Sequence, residues 1–519
     1  MMCEFRRRIA ALLLAASALL SAVPARGAGD ATFDSVLEGS WRRADLSPVA
    51  PASDAAFLRR ARLKLTGRLP SPGEVRAFVR SRDPDKRAKL IDRLIASPEF
   101  ADMMAMRYCQ MFRVKSEFPI NMWPNAVQLF HAYLRDAAAR DLPYNRMAYA
   151  LLTTDGSNFR KPQVNFLRGH ADRTPEGIAK GVMLSLAGVR LEKLPEPYRA
   201  GTAAFFSRLK CKATDEWKEE IVFSLPEPAE ITALTPDGRT FKIDAPKREP
   251  RRVFAEWLVS SKNPYFARAF ANRMWFFLMG RGFVEPADDL VEVTADGKPK
   301  LRTTAELDAL AEAFKRNKYS VKALVRIICN SPAFNADWQT AEEEQQTAEK
   351  LFAVYPLHRL EPEVFVDALA AVTGAHDSYR SVIPEPFTIL PPGTPAVKIA
   401  DGSISSGALD NFGRSPRDSG VLAETRLHIT SAQRQWLLNS NILFNRLQRT
   451  QARIFGKRKL NPEQRIEELY LAILSRYPTG GERELLRRRL KELPGKQRWR
   501  FWNDVVWALI NTREFMLYH

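Results

Sequence analysis

Apolar positions recur three and four residues apart along most of this chain, the spacing of a helix face. The pattern is densest in residues 251–290. Phe254, Trp257 and Leu258 mark one helix there. Asn263-Pro264 breaks it, because the residue before a proline is pushed out of the α region. Tyr265, Phe266, Ala269, Phe270, Met274, Trp275 and Leu278 carry a second helix, and Gly280-Arg281-Gly282 ends it with a residue suited to a left-handed C-cap. Upstream, Ser71-Pro72-Gly73-Glu74 reads as a capping box, and Leu90, Ile91, Leu94 and Ile95 share a face. Downstream, Leu307, Leu310, Ala311 and Phe314 form one face, and Val321, Leu324, Val325 and Ile328 another. Residues 219–245 differ, with strand-like runs at Ile221, Val222, Phe223 and at Thr240, Phe241, Lys242, Ile243, and a Pro236-Asp237-Gly238 turn signal between them. Residues 380–410, rich in proline, glycine and serine, read as a long surface loop.

The pattern predicts a mainly α, multi-helical two-domain architecture with a small β insertion near residues 219–245. The expected divisions are an N-terminal helical domain over 33–215, the insertion and linker over 216–250, and a C-terminal helical domain over 251–519. One phrase also recurs. "LTGRLPSPGE" at 65–74 echoes "LSRYPTGGE" at 474–482, and helices close on "IASPEF", "ICNSPAF" and "INTREF" at 95–100, 328–334 and 510–515. Either a repeated helical unit or ordinary capping chemistry produces such endings.

Residues 1–27 read as a signal peptide. Arg6, Arg7 and Arg8 form its positive region, residues 9–23 are apolar, and Ala25 and Gly27 are small residues before the cleavage point. No later segment is long and apolar enough to span a bilayer, so a periplasmic or secreted address is expected. Loss of residues 1–27 removes four arginines and Glu4, taking the net charge from +19 to +16. Cys109, Cys211 and Cys329 remain, too few for a disulfide framework, and their apolar neighbours suggest buried thiols. The six histidines, His131, His170, His358, His376, His428 and His519, include no pair at metal spacing on one helix, so no metal and no cofactor is expected. His170 near Asp172 and Glu424 near His428 are the local groupings. Lipase-type, phosphate-loop and dinucleotide motifs are absent.

"NPYFARAFANRMWFFLMGRGFVEPADDL" at 263–290 resembles the core of a domain of unknown function, number fifteen-fifty-three, found in exported planctomycete and verrucomicrobial proteins. "FLRRARLKLTGRLPSPGEVRAF" at 57–78 and "DLPYNRMAYALLTTDGSNFRKPQVNFLR" at 141–168 resemble its usual companion, number fifteen-forty-nine. The resemblance implies an association with cytochrome c modules and a Cys-x-x-Cys-His-x-His-Pro segment after Gly188-Val189-Arg190-Leu191-Glu192. Here that place holds Lys193-Leu194-Pro195-Glu196-Pro197-Tyr198, and no Cys-x-x-Cys-His occurs anywhere, so haem or metal chemistry is not carried over. The family's Asn-Pro-Pro-Ser loop is likewise replaced by Asp296-Gly297-Lys298-Pro299. "LDNFGRSPRDSG" at 409–420 again resembles the family.

Three groups of residues are candidates for chemistry. Arg273, Glu285, Asp288 and Asp289 place carboxylates beside an aromatic wall, a set that suits a cation, a sugar or acid/base work. Arg414, Arg417 and Asp418 are polar loop residues, where function concentrates. Lys457, Arg458, Lys459, Arg487, Arg488 and Arg489 lie in a basic stretch. Residues 446–500 hold sixteen Lys/Arg against six Asp/Glu, followed closely by Trp499, Trp502 and Trp507. Nucleic acid fits the charge but not the address of an exported protein. Acidic or sulfated polysaccharide, or an anionic envelope surface, fits both. Two readings follow: a protein that binds or helps process envelope polyanionic polysaccharide, or a polysaccharide hydrolase using Glu285, Asp288 and Asp289. The missing Cys/His segment and altered loop favour binding. N-terminal sequencing of protein exported by its own cell should return Ala28 as the first residue; Met1 in a cytosolic fraction would contradict the signal.

Overall fold

The computed structural model describes residues 29–519 apart from 48, 385–387, 457 and 495–496. It is mainly α-helical, with strands confined to small two- or three-stranded sheets. A single continuous hydrophobic cluster runs from Phe33 to Tyr518.

The capping signals produce the helix starts they predict. Ser71 and Glu74 form a reciprocal box at the head of Pro72–Arg80, with the proline in the first turn. Thr479 and Glu482 form the same box before Gly480–Glu492. The three Phe-terminated phrases share one geometry. The hydroxyls of Ser97, Ser331 and Thr512 each donate to the carbonyl three residues back at 2.7 Å. Each also accepts the N–H of the phenylalanine three residues on, at 3.2, 3.3 and 3.2 Å respectively. One hydroxyl thus closes one helix and starts the next, satisfying groups at both ends.

Adjacent arginines on the helix Asp54–Thr66 hold two of these joints. Arg59 donates to the carbonyls of Ile473 (2.9 Å) and Phe515 (3.0 Å). Arg60 donates to the carbonyls of Phe334 and Ala336 and lies 3.7 Å from the Tyr355 ring centroid. Both are fully buried. One turn on, Lys64 meets Glu361 at 3.3 Å and sits 3.6 Å from the centroid of the Tyr518 ring, whose hydroxyl donates to the same carboxylate. Arg107 lies 3.9 Å from Glu361. The first domain's helices therefore pack into the second through buried cations.

The two strand-like runs of the β region fall in different sheets. Glu220–Ser224 pairs with Leu209–Ala213 on one side and Gly156–Ser157 on the other, while Thr240–Ala245 pairs with Ala229–Leu234. The Pro236-Asp237-Gly238 turn forms, with Gly238 at φ 81°, and joins the second strand-like run, now Thr240–Ala245, to Ala229–Leu234 rather than to the first run. Leu209–Ala213 was not among the expected strand-like runs; its Lys210 and Lys212 side chains are exposed. Cys211 is exposed on this strand, correcting the expectation of three buried thiols, while Cys109 and Cys329 are buried. Residues 380–410 are not surface loop throughout. Ala396, Val397, Ile399, Ala400 and Ile404 are buried, and the Asp367 carboxylate accepts the N–H groups of Ala396 (2.6 Å) and Val397 (3.1 Å). Among the described residues no helix is long and apolar enough to cross a membrane.

The Lys64 and Arg107 charges hold the Glu361 carboxyl down at about 2, against an ordinary 4.5, despite its burial. A depressed carboxyl stabilises the fold above its ordinary pKa, and that stability is lost as pH falls toward the folded value. Glu361→Gln should therefore lower urea stability most at neutral pH, with the gap to the parent closing between pH 4.5 and about 2.

Candidate functional site

The stretch that carries the acidic candidates folds as two helices and a tethered loop. The Asn263 side chain accepts the N–H groups of Tyr265 (2.9 Å) and Phe266 (3.0 Å), starting Phe266–Met279. Gly280 ends it at φ 85°, with the His358 ring so close that a Cβ would lie 2.5 Å from it. The following loop is held by Asn272. Its amide oxygen accepts from Phe283 (2.8 Å) and Val284 (3.2 Å), and its nitrogen donates to the carbonyls of Val284 (2.9 Å) and Ala287 (3.2 Å). Nothing in the sequence spacing marked this asparagine. Its signal is a polar residue on an otherwise apolar face.

That loop delivers the carboxylates to cations rather than to open space. Asp288 and Asp289 are buried. Arg190 donates to Asp288 at 3.0 Å, and the Leu422 N–H donates to the other Asp288 oxygen at 2.9 Å. Lys193 donates to Asp289, with Arg190 3.9 Å away. Arg190 lies in the lead-in Gly188 to Glu192, and Lys193 opens the segment where the chain departs from its resemblance. Glu285 accepts the Gly282 N–H, and burial raises its carboxyl above the ordinary value. Arg273 is fully buried and donates to the carbonyls of Leu184 and Ser185 within a π-helical turn, Met183–Ala187. Its charge faces Asp288.

Arg113 completes this joint and was missed in the sequence. It donates to the Ser185 hydroxyl at 2.9 Å and to His170 Nε2 at 3.0 Å, while His170 Nδ1 donates to the Leu167 carbonyl at 3.0 Å. Burial and the Arg113 charge keep His170 well below its ordinary pKa, so it stays neutral and its Nε2 accepts.

The loop candidates arrive at the same place by a different route. The Leu422 contact brings residues 414–424 onto Asp288, and Lys115 pairs with Asp418 at 2.6 Å. Arg414 and Arg417 were expected in an open loop but are buried. Arg414 pairs with Glu363 at 3.1 Å and donates to the Ile404 carbonyl. Arg417 donates to the carbonyls of Ala400 (2.6 Å) and Ile399 (3.2 Å). A loop this rich in backbone acceptors draws guanidinium groups inward, because buried carbonyls need donors. The cavity lined by Arg107, Glu361, Gly420 and Leu422 holds about 20 Å³, room for roughly one water. A larger groove of about 1360 Å³ is lined by Arg62, Glu74, Lys86 and Arg93 of the first domain together with Asn317 and Arg326 of the second, and none of the candidates borders it. Among the described residues no group of three His, Cys, Asp or Glu side chains is placed to hold a metal ion.

The basic candidates divide. Arg487 pairs with Glu463, Arg489 with Glu492 at 3.4 Å, and Arg458 with Glu468 at 2.9 Å. Lys459 and Arg488 are exposed and form no ion pair among the described residues, and Lys457 lies outside those residues.

Comparison with known families agrees with these shared segments. Residues 32–185 match the family model PSCyt2, described as "Protein of unknown function (DUF1549)", and residues 250–490 match PSD1, described as "Protein of unknown function (DUF1553)". The chain belongs to the family of proteins that pair these two domains. No curated protein and no solved structure matches it.

Because Asp288 and Arg190 are partners at a buried joint, a double-mutant cycle with Asp288→Asn and Arg190→Gln should show coupling of about 1–3 kcal/mol in urea unfolding. Additive effects would mean that the pair does not hold the joint together.

Proposed function

We propose that this is an exported protein that binds polyanionic polysaccharide of the cell envelope or its surroundings, rather than one that cleaves it. One observation carries the reading. On the C-terminal helices Arg449, Arg453, Arg488, Arg498 and Arg500, and on a loop between two of them Lys459, are exposed with no carboxylate partner among the described residues. Charges left unmatched on one region set up a field that attracts polyanions and is screened over about 8 Å in physiological salt. Pairing of Arg458, Arg487 and Arg489 leaves Lys459 and Arg488, of the described residues in the two basic runs, on this surface, which extends to Arg449, Arg453, Arg498 and Arg500. Exported character rests on the leader pattern in residues 1–27, and a periplasmic or secreted location follows from it.

Hydrolysis by Glu285, Asp288 and Asp289 has less support. A carboxyl that donates or takes a proton from substrate needs access to it, and Asp288 and Asp289 are buried against Arg190 and Lys193.

Retention on a heparin column tests the binding reading. Replacing Arg449, Arg453, Arg488, Arg498 and Arg500 together with Gln should move elution to clearly lower salt without changing helix content. The matched change at the paired Arg458, Arg487 and Arg489 should move it less. Equal elution of the first variant and the parent would reduce the basic region to a solvated face.

A further inference from the structure

The helices Ser431–Asn439, Asn441–Phe455 and Arg498–Ile510 each bury one face and leave large apolar side chains on the other. Leu437, Leu443, Leu447, Val506 and Ile510 are in the core. Leu438, Ile442, Phe444 and Trp499 are each more than half exposed, and Trp507 is 36% exposed. Two strips result. Ile442, Arg449 and Arg453 recur at seven and eleven residues, which is one stripe of a helix, and Leu438 precedes them. Phe444 shares its side of the same helix with Gln451, seven residues on. Gln451 donates to the Trp499 carbonyl and to the Asn503 amide oxygen of the neighbouring helix, both at 2.9 Å. Asn503 lies four residues from each tryptophan, so Phe444, Trp499 and Trp507 border the seam that Gln451 closes.

The charge among these side chains has one sign. Arg434, Arg449, Arg453, Arg498 and Arg500 are exposed on the same three helices with no carboxylate partner among the described residues. The one carboxylate these helices carry is Asp504, a turn beyond Arg500. The neighbouring helix Gly480–Glu492 is built differently, with Arg487 and Arg489 matched to glutamates. A merely solvated face needs charge but gains nothing from Leu438, Ile442 and Phe444 in water. Exposed apolar side chains gathered on one region mark a contact surface.

We propose that this surface seats the exported protein on an anionic lipid bilayer, with Ile442, Phe444 and Trp499 entering the headgroup layer and the arginines meeting lipid phosphates. Aliphatic and aromatic side chains gain by leaving water at the acyl boundary, and indoles settle at headgroup level. Each arginine held near a negatively charged leaflet adds attraction, which falls off within a Debye length. Among the described residues no helix can cross a membrane, so the seating is peripheral. A second copy of this chain would set arginines against arginines, with Asp504 alone to offset them. A polysaccharide answers the arginines but leaves the aliphatic side chains in water. The inference therefore goes beyond the polysaccharide reading. Polymer and bilayer compete for the same arginines, and the bilayer alone uses the apolar side chains.

The test is co-sedimentation of the full chain with vesicles of phosphatidylcholine alone and of equal parts phosphatidylcholine and phosphatidylglycerol, beside the heparin column. The parent should pellet with the anionic vesicles and not with the neutral ones, and added heparin should release it. Leu438→Gln, Ile442→Gln, Phe444→Gln and Trp499→Gln together should weaken vesicle binding by roughly tenfold or more, with heparin retention unchanged. Glutamine is a good helix former and all four side chains are exposed, so helix content should match the parent. Brominated acyl chains should quench part of the parent's tryptophan emission, and Trp499→Phe should lose part of that quenching. Parent-like vesicle binding by the fourfold variant overturns the proposal and leaves a surface that answers charge alone. So does a parent that ignores anionic vesicles, or one that binds neutral vesicles equally well. A parent that pellets with anionic vesicles but is not held on heparin upholds the bilayer contact and removes the polysaccharide reading.

Discussion

Buried guanidinium groups that donate to backbone carbonyls are the constraint on which this structure depends. Arg59, Arg60, Arg273 and Arg417 are each at most 1% exposed, and most of their bonds go to main-chain oxygens. An arginine keeps its charge at any ordinary pH and carries five donors in a fixed plane. Burying it is tolerable only where several acceptors converge. Helix ends and tight loops are where unpaired carbonyls collect. The consequence here is a set of joints in which each arginine needs the loop and each loop needs the arginine. Arg59 and Arg60, neighbours on one helix, point to joints more than 270 residues away in sequence. This couples the two family domains into one core.

The same principle explains why the candidate site became a joint. Asp288 and Asp289 are anions in a region supplied with cations, and Arg190 and Lys193 meet them directly. With the charges matched and a cavity of about 20 Å³ nearby, there is little room for chemistry. The unmatched charge lies elsewhere, on the C-terminal helices and the loop that carries Lys459.

Much was legible from sequence because helix periodicity and capping are local. The boxes at Ser71 and Thr479, the stop at Gly280 and the three hydroxyl caps before Phe100, Phe334 and Phe515 depend only on residues within a turn of each other. Less local features misled. Leu209–Ala213, outside the expected runs, is a strand because Glu220–Ser224 pairs with it. Arg414 and Arg417 sit in a polar loop by composition, yet the buried carbonyls of Ile399, Ala400 and Ile404 draw them inward.

The sequence alone determined that the chain is helical, where many of its helices begin and end, and that it carries the two paired family domains with an excess of positive charge. These follow from spacing and composition, which survive without coordinates. Only the tertiary structure decided which charges are matched. It paired Arg487 with Glu463 across 24 positions and left Arg449 without an ion pair among the described residues, and it set Trp217 beside Trp123 from more than ninety residues away. Whether an ion or a ring is available depends on what the fold brings within a few ångströms of it, and no local pattern in the chain encodes that distance.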